Sequence, residues 1–188
     1  MIKKLKVYWK KFGQIFKNFM YNLSYQILSL ILPIITVPYI TRVLSQEVVG
    51  LNTVIQANCT YFALVGMMGV SILGPREIAK HQEDLSSLKD VFCKIYNIQF
   101  FFHIFALFIY GIYCWTIHGT MLHFLYLIYL ISSATDISWF FMGIEDFKSI
   151  SIRNLIVKLA AFILLFMFVQ QDDDIGKYVL TLYLPQLI

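Results

Sequence analysis

The chain has 188 residues, 59% of them apolar and only 14% charged, with a formal net charge of +4. Soluble domains run near about 45–50% apolar and about 25% charged, so this composition excludes an ordinary soluble domain. It points to an all-α, polytopic transmembrane bundle, and the small positive balance is not a nucleic-acid footprint; its distribution tells more than its size.

The N-terminal segment, residues 1–19, carries Lys3, Lys4, Lys6, Lys10, Lys11 and Lys17, with Tyr8, Trp9, Phe12 and Phe16 between them. This is an amphipathic basic segment suited to an anionic leaflet, and it also serves as a topogenic signal. Residues 20–188 form the transmembrane portion. Its first apolar segment is too long for a signal-peptide core and lacks a small-x-small cleavage site, so it is expected to be retained.

The first helix is expected at about 21–44, where Arg42 is the one formal charge. Roughly 20 apolar residues cross the ~30 Å hydrocarbon core. Pro33 and Pro38 lie inside it, tolerable where neighbouring helices and hydroxyls re-satisfy freed carbonyls. Asn22, Gln26, Ser29, Pro33 and Thr36 share one stripe. Such a stripe is either a packing seam or the wall of a water-filled cavity. Arg42 marks a membrane interface, and Ser45–Gly50 is read as the turn.

The second helix is expected at about 52–73, with a stripe of Asn52, Gln56, Cys59, Ala63 and Gly66, followed by GPREIAKHQED as a hydrophilic loop. The third, about 92–117, carries Tyr96, Gln99, His103, Ala106 and Tyr110 on one face. His103 reads either as a packed, hydrogen-bonded residue or as a proton carrier. The short turn His118–Thr120 makes the fourth helix, about 121–142, its antiparallel partner. That helix carries Tyr126, Tyr129, Ser133, Asp136 and Phe140 on its stripe.

A fifth helix is expected at about 150–169. Leu155 to Val169 alone is too short to cross, so the span takes in Arg153 or Asn154 and places Lys158 inside the membrane. Gln170–Lys177 is an acidic loop, and 178–188 begins a sixth apolar segment. Of the fifteen lysines and arginines, only Arg42 and Lys177 fall on the side opposite the N-terminus. By the positive-inside rule the N-terminus is cytoplasmic.

Cys59, Cys93 and Cys114 lie in or beside apolar segments without ligand spacing. They read as small hydrophobes, with no metal site. No nucleotide or metal motif appears, so no cofactor is expected. No loop is large enough for the carboxylate or histidine clusters of a membrane enzyme; Glu145-Asp146 reads as a solvated pair.

Asp136 sits on a polar stripe, where a carboxylate facing lipid would cost about 2.5–3.5 kcal/mol, so it is expected to face the bundle. Arg153 matches its depth, and Lys158 is the second choice. The pair is either a structural lock or an ionisable coupling site.

Two stretches carry a family resemblance. They are LPIITVPYITRVLSQEVVGLNTVIQANCTYFALVGMMGVSILGPREIAK and DISWFFMGIEDFKSISIRN. Together they resemble the bacterial oligosaccharide flippases of the Wzx type, in the polysaccharide biosynthesis protein family of the MOP exporter superfamily. The resemblance runs through essentially the whole chain and is to the first half of such a protein. It implies five complete helices plus the start of a sixth, an incomplete N-terminal lobe of a two-lobe transporter, not an enzyme. It also implies movement of undecaprenyl-diphosphate-linked repeat units across the bacterial cytoplasmic membrane for capsule, O-antigen or exopolysaccharide synthesis. The implied partners are that lipid-linked oligosaccharide, membrane lipids and a coupling ion, H+ or Na+. The candidate cavity or coupling residues are Asp136, Lys158, Arg153 and Arg42. Alternatives are another exporter of the superfamily, for drugs or lipid II, and a non-transporting remnant.

Overall fold

The computed structural model describes the backbone of residues 2–187 and the side chains of residues 16–17 and 19–187. Its helices are α1 (Ile2–Val43), α2 (Gln46–Met67), α3 (Val70–Lys80), α4 (Leu85–Thr116), α5 (Met121–Leu125), α6 (Leu127–Thr135), α7 (Ser138–Gly143), α8 (Phe147–Phe168) and α9 (Ile175–Tyr183). Short 3-10 turns lie at Asp172–Asp174 and Leu184–Leu187, and there is no strand among the described residues. Five stretches are long and apolar enough to cross a membrane: Phe19–Val43, Gln46–Lys80, Leu85–Thr116, Met121–Gly143 and Phe147–Phe168.

The surface is inverted relative to a soluble protein. Leu30, Ile34, Phe101, Phe108 and Trp115 are all exposed by two-thirds or more. The buried positions recur at helical spacing: Asn52, Ile55, Cys59, Ala63 and Gly66 on α2, and Gln99, His103, Ala106, Tyr110 and Cys114 on α4. These two faces pack on one another. Lipid tails are as apolar as leucine, so close approach and hydrogen bonds hold such helices together, not the hydrophobic effect. Gly66 shows how: a Cβ there would come within 2.7 Å of the His103 ring.

The outermost element is α1. Only 6% of its span is buried, against 28% in each of the others. It packs mainly on α8. Its helix runs unbroken from the basic N-terminal segment, residues 2–19, into the first span. The amphipathic face expected from Tyr8, Trp9, Phe12 and the lysines around them lies outside the described side chains.

Two expected helices are broken. The second ends at Met67, because Met68 (φ 42°) and Gly69 (φ 76°) both take left-handed backbone; only glycine adopts that without strain. The segment GPREIAK beyond it is not a loop but the body of α3, with Pro75 inside the helix. It is helical because it is packed: Gly74 lies against Trp139, and Ile78 against Gly143, where added Cβ atoms would stand 2.7 and 2.5 Å from those side chains. The expected fourth helix, about 121–142, is three pieces, with its main interruption at Asp136-Ile137. The turn after α1 is shorter than Ser45–Gly50, since α2 begins at Gln46. The acidic segment Gln170–Lys177 is partly helical, with α9 starting at Ile175.

The termini of these elements are capped by side chains. Asp84 accepts from the Ser86 and Ser87 amides at the start of α4 (3.1 and 3.4 Å), and Asp146 from the Ser149 amide at the start of α8 (3.3 Å). The two ends of the bundle are each tied across the chain. At one end the Ser45 amide donates to Asp172 Oδ1 (2.6 Å). At the other, Gln82 donates to the Gly143 carbonyl.

Candidate functional site: a polar cavity at a broken helix

The interruption at Asp136-Ile137 leaves carbonyls at the end of α6 and amides at the start of α7 without intrahelical partners. Inside a membrane each must be satisfied by protein or by a wet cavity. Gln99 on α4 satisfies the first set. Its Nε2 points at the carbonyls of Ser133, Ala134 and Asp136 (3.4, 3.2 and 3.0 Å), while its Oε1 accepts from Trp139 Nε1 (2.7 Å). Asp136 begins the second set: its Oδ1 accepts from the Ser138 amide (3.0 Å) and hydroxyl (2.5 Å). His103 closes the network, with Nδ1 2.9 Å from the Gln99 carbonyl and Nε2 3.2 Å from Ser133 Oγ. A carbonyl only accepts, so Nδ1 carries the proton and Nε2 accepts from Ser133.

Beside this break lies a cavity of about 410 Å3, lined from α1 by Tyr25, from α2 by Thr60, Ala63, Leu64 and Met67, from α6 by Tyr129, Ser132 and Ser133, and from α8 by Arg153, Asn154, Val157 and Lys158. Asp136, Ser138 and Gln186 complete the wall. Three of the four candidate residues, Asp136, Arg153 and Lys158, therefore share one space. Arg42 does not. It is exposed near the end of α1, thirteen residues or about 20 Å along the helix from Ser29, which lies level with Lys158.

Arg153 stands at the mouth of the broken segment. Its Nη1 reaches Asp136 Oδ1 at 3.4 Å and Ser138 Oγ at 3.5 Å, and Nη2 donates to the Gln186 carbonyl at 3.3 Å. Both partners of the Asp136–Arg153 pair are about one-third exposed, at 35% and 32%. The pair is wet enough for its Coulomb energy to be strongly screened.

Lys158 is different. It stands at the middle of the 22-residue α8, about 16 Å from its start. Sequence spacing alone puts it less deep, because it omits the first turn contributed by Phe147-Lys148-Ser149. Its Nζ donates to Ser29 Oγ at 2.6 Å, and it lies 4.8 Å from the centre of the Tyr25 ring. Ser29 in turn donates to the Tyr25 carbonyl (2.7 Å). Among the described residues no carboxylate comes within salt-bridge distance of Lys158. With Asp136 offset by Arg153, the cavity keeps one net positive charge at mid-span. A neutral hydroxyl and a ring face hold this ammonium in place without neutralising it.

Sequence reasoning placed Gln99 on the right face but assigned it no role. Its signal is that a glutamine in a lipid-embedded aromatic helix must find several partners at once. Ser29 was legible only as a member of a stripe, and Tyr25 was not singled out. Among the described residues no group of three or more His, Cys, Asp or Glu side chains comes together for a metal ion.

The two motif stretches that lie far apart in sequence meet here, since α3 packs on α7 through Gly74, Trp139, Ile78 and Gly143. The family model described as "Polysaccharide biosynthesis protein" matches residues 15–188. A protein of Shigella dysenteriae named "Putative O-antigen transporter" is 26% identical over 152 residues, covering 79% of this chain and 38% of the relative. The chain thus spans well under half the length of the curated relative it matches. No solved structure matches. A match across nearly the whole chain, on a bundle with five stretches long and apolar enough to cross a membrane, places this multi-pass membrane protein in the polysaccharide biosynthesis protein family.

Proposed function

We propose that the protein moves oligosaccharide repeat units, linked to undecaprenyl diphosphate, across the bacterial cytoplasmic membrane for capsule, O-antigen or exopolysaccharide synthesis. It changes the side of its substrate and not its covalent bonds. The N-terminus lies in the cytoplasm, following the distribution of lysines and arginines. The observation that carries this reading is Lys158, an ammonium halfway along α8, facing a cavity and lacking a carboxylate partner among the described residues.

An isolated cation at that depth costs about 2.5–3.5 kcal/mol on insertion scales, which an anionic ligand offsets when bound. A diphosphate supplies that charge. Tyr25, Tyr129, Thr60, Ser132 and Asn154 around it offer the ring faces and hydrogen-bonding groups that sugars use. A proton or sodium gradient drives the cycle, and Asp136 at the helix break is the carboxylate such an ion would meet.

The test is the native gene carrying Lys158→Gln in a strain lacking its own flippase. Surface polysaccharide is expected to fall at least about tenfold, the effect of about 1.4 kcal/mol on a binding step. Lipid-linked repeat units should accumulate while protein level stays normal, and Lys158→Arg should restore part of the export. Wild-type export by Lys158→Gln would remove the basis of the proposal.

A further inference from the structure

His103 is fully buried near the middle of α4, yet one nitrogen of its ring is a single hydroxyl away from the cavity. Three helices clamp it. α4 itself supplies the Gln99 carbonyl, 2.9 Å from Nδ1. α2 supplies Gly66, whose missing Cβ leaves the room that the ring takes: a methyl there would stand 2.7 Å from Cδ2 and 2.9 Å from Nε2. α6 supplies Ser133, whose Oγ lies 3.2 Å from Nε2. Ser133 is half-buried and lines the polar cavity.

This clamp leaves one nitrogen that can change state. Nδ1 already carries a proton and donates it to a carbonyl, which has none to give. Gly66 stands against Cγ, Cδ2 and Nε2, so the ring has no room to turn. Nε2 accepts from the Ser133 hydroxyl, and a hydroxyl can both donate and accept. Beyond that hydroxyl the space is polar and wet. Asp136 and Arg153 are about one-third exposed in it, at 35% and 32%, and Thr60, Ser132 and Asn154 share its wall.

Among the described residues no charged side chain is hydrogen-bonded to the ring. The buried positions of α2 around Gly66 carry no charge. α6 brings Ser133, with Tyr129 one turn before it and Asp136 just past its end. Asp136 is offset by Arg153 of α8, and Lys158 of α8 lines the same cavity. α3 meets α4 further along, through Val70 and Ile78, and Trp139 of α7 reaches Gln99 instead of the ring. A positive ring would therefore meet mainly the last turn of α6. Ser133 stands two residues before the end of that helix, where the carbonyls form the negative end of the helix dipole and stabilise a cation.

We propose that His103 is a proton-binding site, loaded from the cavity through Ser133. A hydronium ion in the cavity gives a proton to Ser133 Oγ while the hydroxyl's own hydrogen passes to Nε2. Water, a re-formed hydroxyl and an imidazolium remain. Nε2 then donates to Oγ, and the serine hydrogen turns toward the cavity. One proton taken up inside the bundle thus adds a donor to the cavity wall and a positive charge behind it. The site rests on the ion gradient under Proposed function for its use, and gives that gradient a residue; it does not depend on the anion site at Lys158.

The test is nitrogen NMR of the full chain in nanodiscs, with 15N in the histidine rings, followed from pH 9 to pH 5. Comparison with His103→Gln assigns the His103 signals. The ring should carry one protonated nitrogen, Nδ1, at pH 9 and two at pH 5. Ser133→Thr and Ser133→Val introduce side chains of nearly the same shape, of which only threonine keeps the hydroxyl. Ser133→Thr should load as wild type does. Ser133→Val should hold at least about tenfold less doubly protonated ring at pH 5, because a charged donor has lost its acceptor.

A wild-type ring that keeps a single proton down to pH 5, with the protein still folded, is a packing residue, and the proposal is wrong. Equal loading in the valine and threonine variants also overturns it, since the proton then needs no hydroxyl at 133. The wild-type titration decides the matter even where Ser133→Val does not fold. Export by Lys158→Gln is read separately, so failure of the anion site and failure of the proton site give different patterns.

Discussion

Asp136 and Arg153 meet at 3.4 Å across the interruption between α6 and α7, but the carboxylate serves two partners and the guanidinium three. Asp136 also holds the first amide of α7. Removal of its side chain leaves that amide without its acceptor and takes from Arg153 its carboxylate, though Ser138 and Gln186 still accept from the guanidinium, whereas loss of Arg153 leaves Asp136 still bonded to Ser138. Asp136→Ala should therefore destabilise the purified protein by about 1–3 kcal/mol, while Asp136→Asn, which keeps an acceptor for the amide, should cost less. Arg153→Gln should cost about 0–1 kcal/mol, because the pair is a third exposed. Unfolding in detergent, with the double mutant, should give a coupling energy below about 1 kcal/mol. Equal losses in the two single variants would contradict the asymmetry. Should Asp136→Asn instead fold normally and transport without regard to the ion gradient, its role is coupling.

Gln99 is the support of the break. It is fully buried and faces three carbonyls and an indole. Replacing it by leucine keeps the volume and removes every bond. Each stranded buried group costs about 1–3 kcal/mol, so Gln99→Leu should lower stability by about 2–4 kcal/mol in total. The Trp139 indole would lose its acceptor, and a fluorescence change at Trp139, in a version with the other tryptophans replaced, should accompany the loss. Unchanged stability would mean that the break is held by something other than Gln99.

The glycines separate close approach from mere helical tolerance. Gly66→Ala and Gly143→Ala put a methyl against the His103 ring and the Ile78 side chain, at 2.7 and 2.5 Å. Overpacking of this kind costs about 1–3 kcal/mol. Gly111 has nothing within 4 Å, and Gly111→Ala should be neutral or slightly stabilising. Thermal stability of the three variants side by side is the measurement, and equal behaviour of all three would refute the packing account.

Outside the membrane spans, Asp174 ties the acidic turn. Lys177 donates to it at 2.6 Å, and the Gln170 and Gln171 amides donate to it at 3.0 and 3.1 Å, and these bonds hold its carboxyl below the usual aspartate range. A depressed folded-state pKa adds stability above the unfolded value, near about 3.9, and the gain fades as pH falls through the folded value. Asp174→Asn should thus be less stable than wild type at neutral pH, with the gap closing only below about pH 4. A gap that stays constant down to pH 3 would exclude the carboxylate as its source.

Sidedness can be checked by cysteine labelling in a version without native cysteines. A cysteine at Asp173 is expected to react with impermeant reagent from outside the cell, and one at Glu83 only after the membrane is opened. The reverse pattern would invert the topology and place the polar cavity in the outer half.

The amino-acid sequence by itself determined the class of structure. Unbroken apolar stretches of span length, and lysines and arginines gathered between alternate ones, dictate a multi-pass helical bundle, because hydrocarbon tolerates no unpaired backbone and no free charge. Helical spacing also marked most of the buried faces, including Gln99, His103, Ala106 and Tyr110. It was less reliable on α2, where Ile55 is buried and Gln56 is exposed, since in lipid a polar residue need not mark the inner face. The interruptions at Met68-Gly69 and Asp136-Ile137, the helical state of GPREIAK, and the meeting of Lys158 with Ser29 and Tyr25 were decided by tertiary structure alone. The reason is physical. Hydropathy is the same for a whole helix and for a broken one. What permits the break at Asp136 is an amide side chain 37 residues away in sequence, and what places Lys158 is a hydroxyl 129 residues away. Only when the helices are packed do those partners stand where the freed backbone groups and the lone ammonium need them.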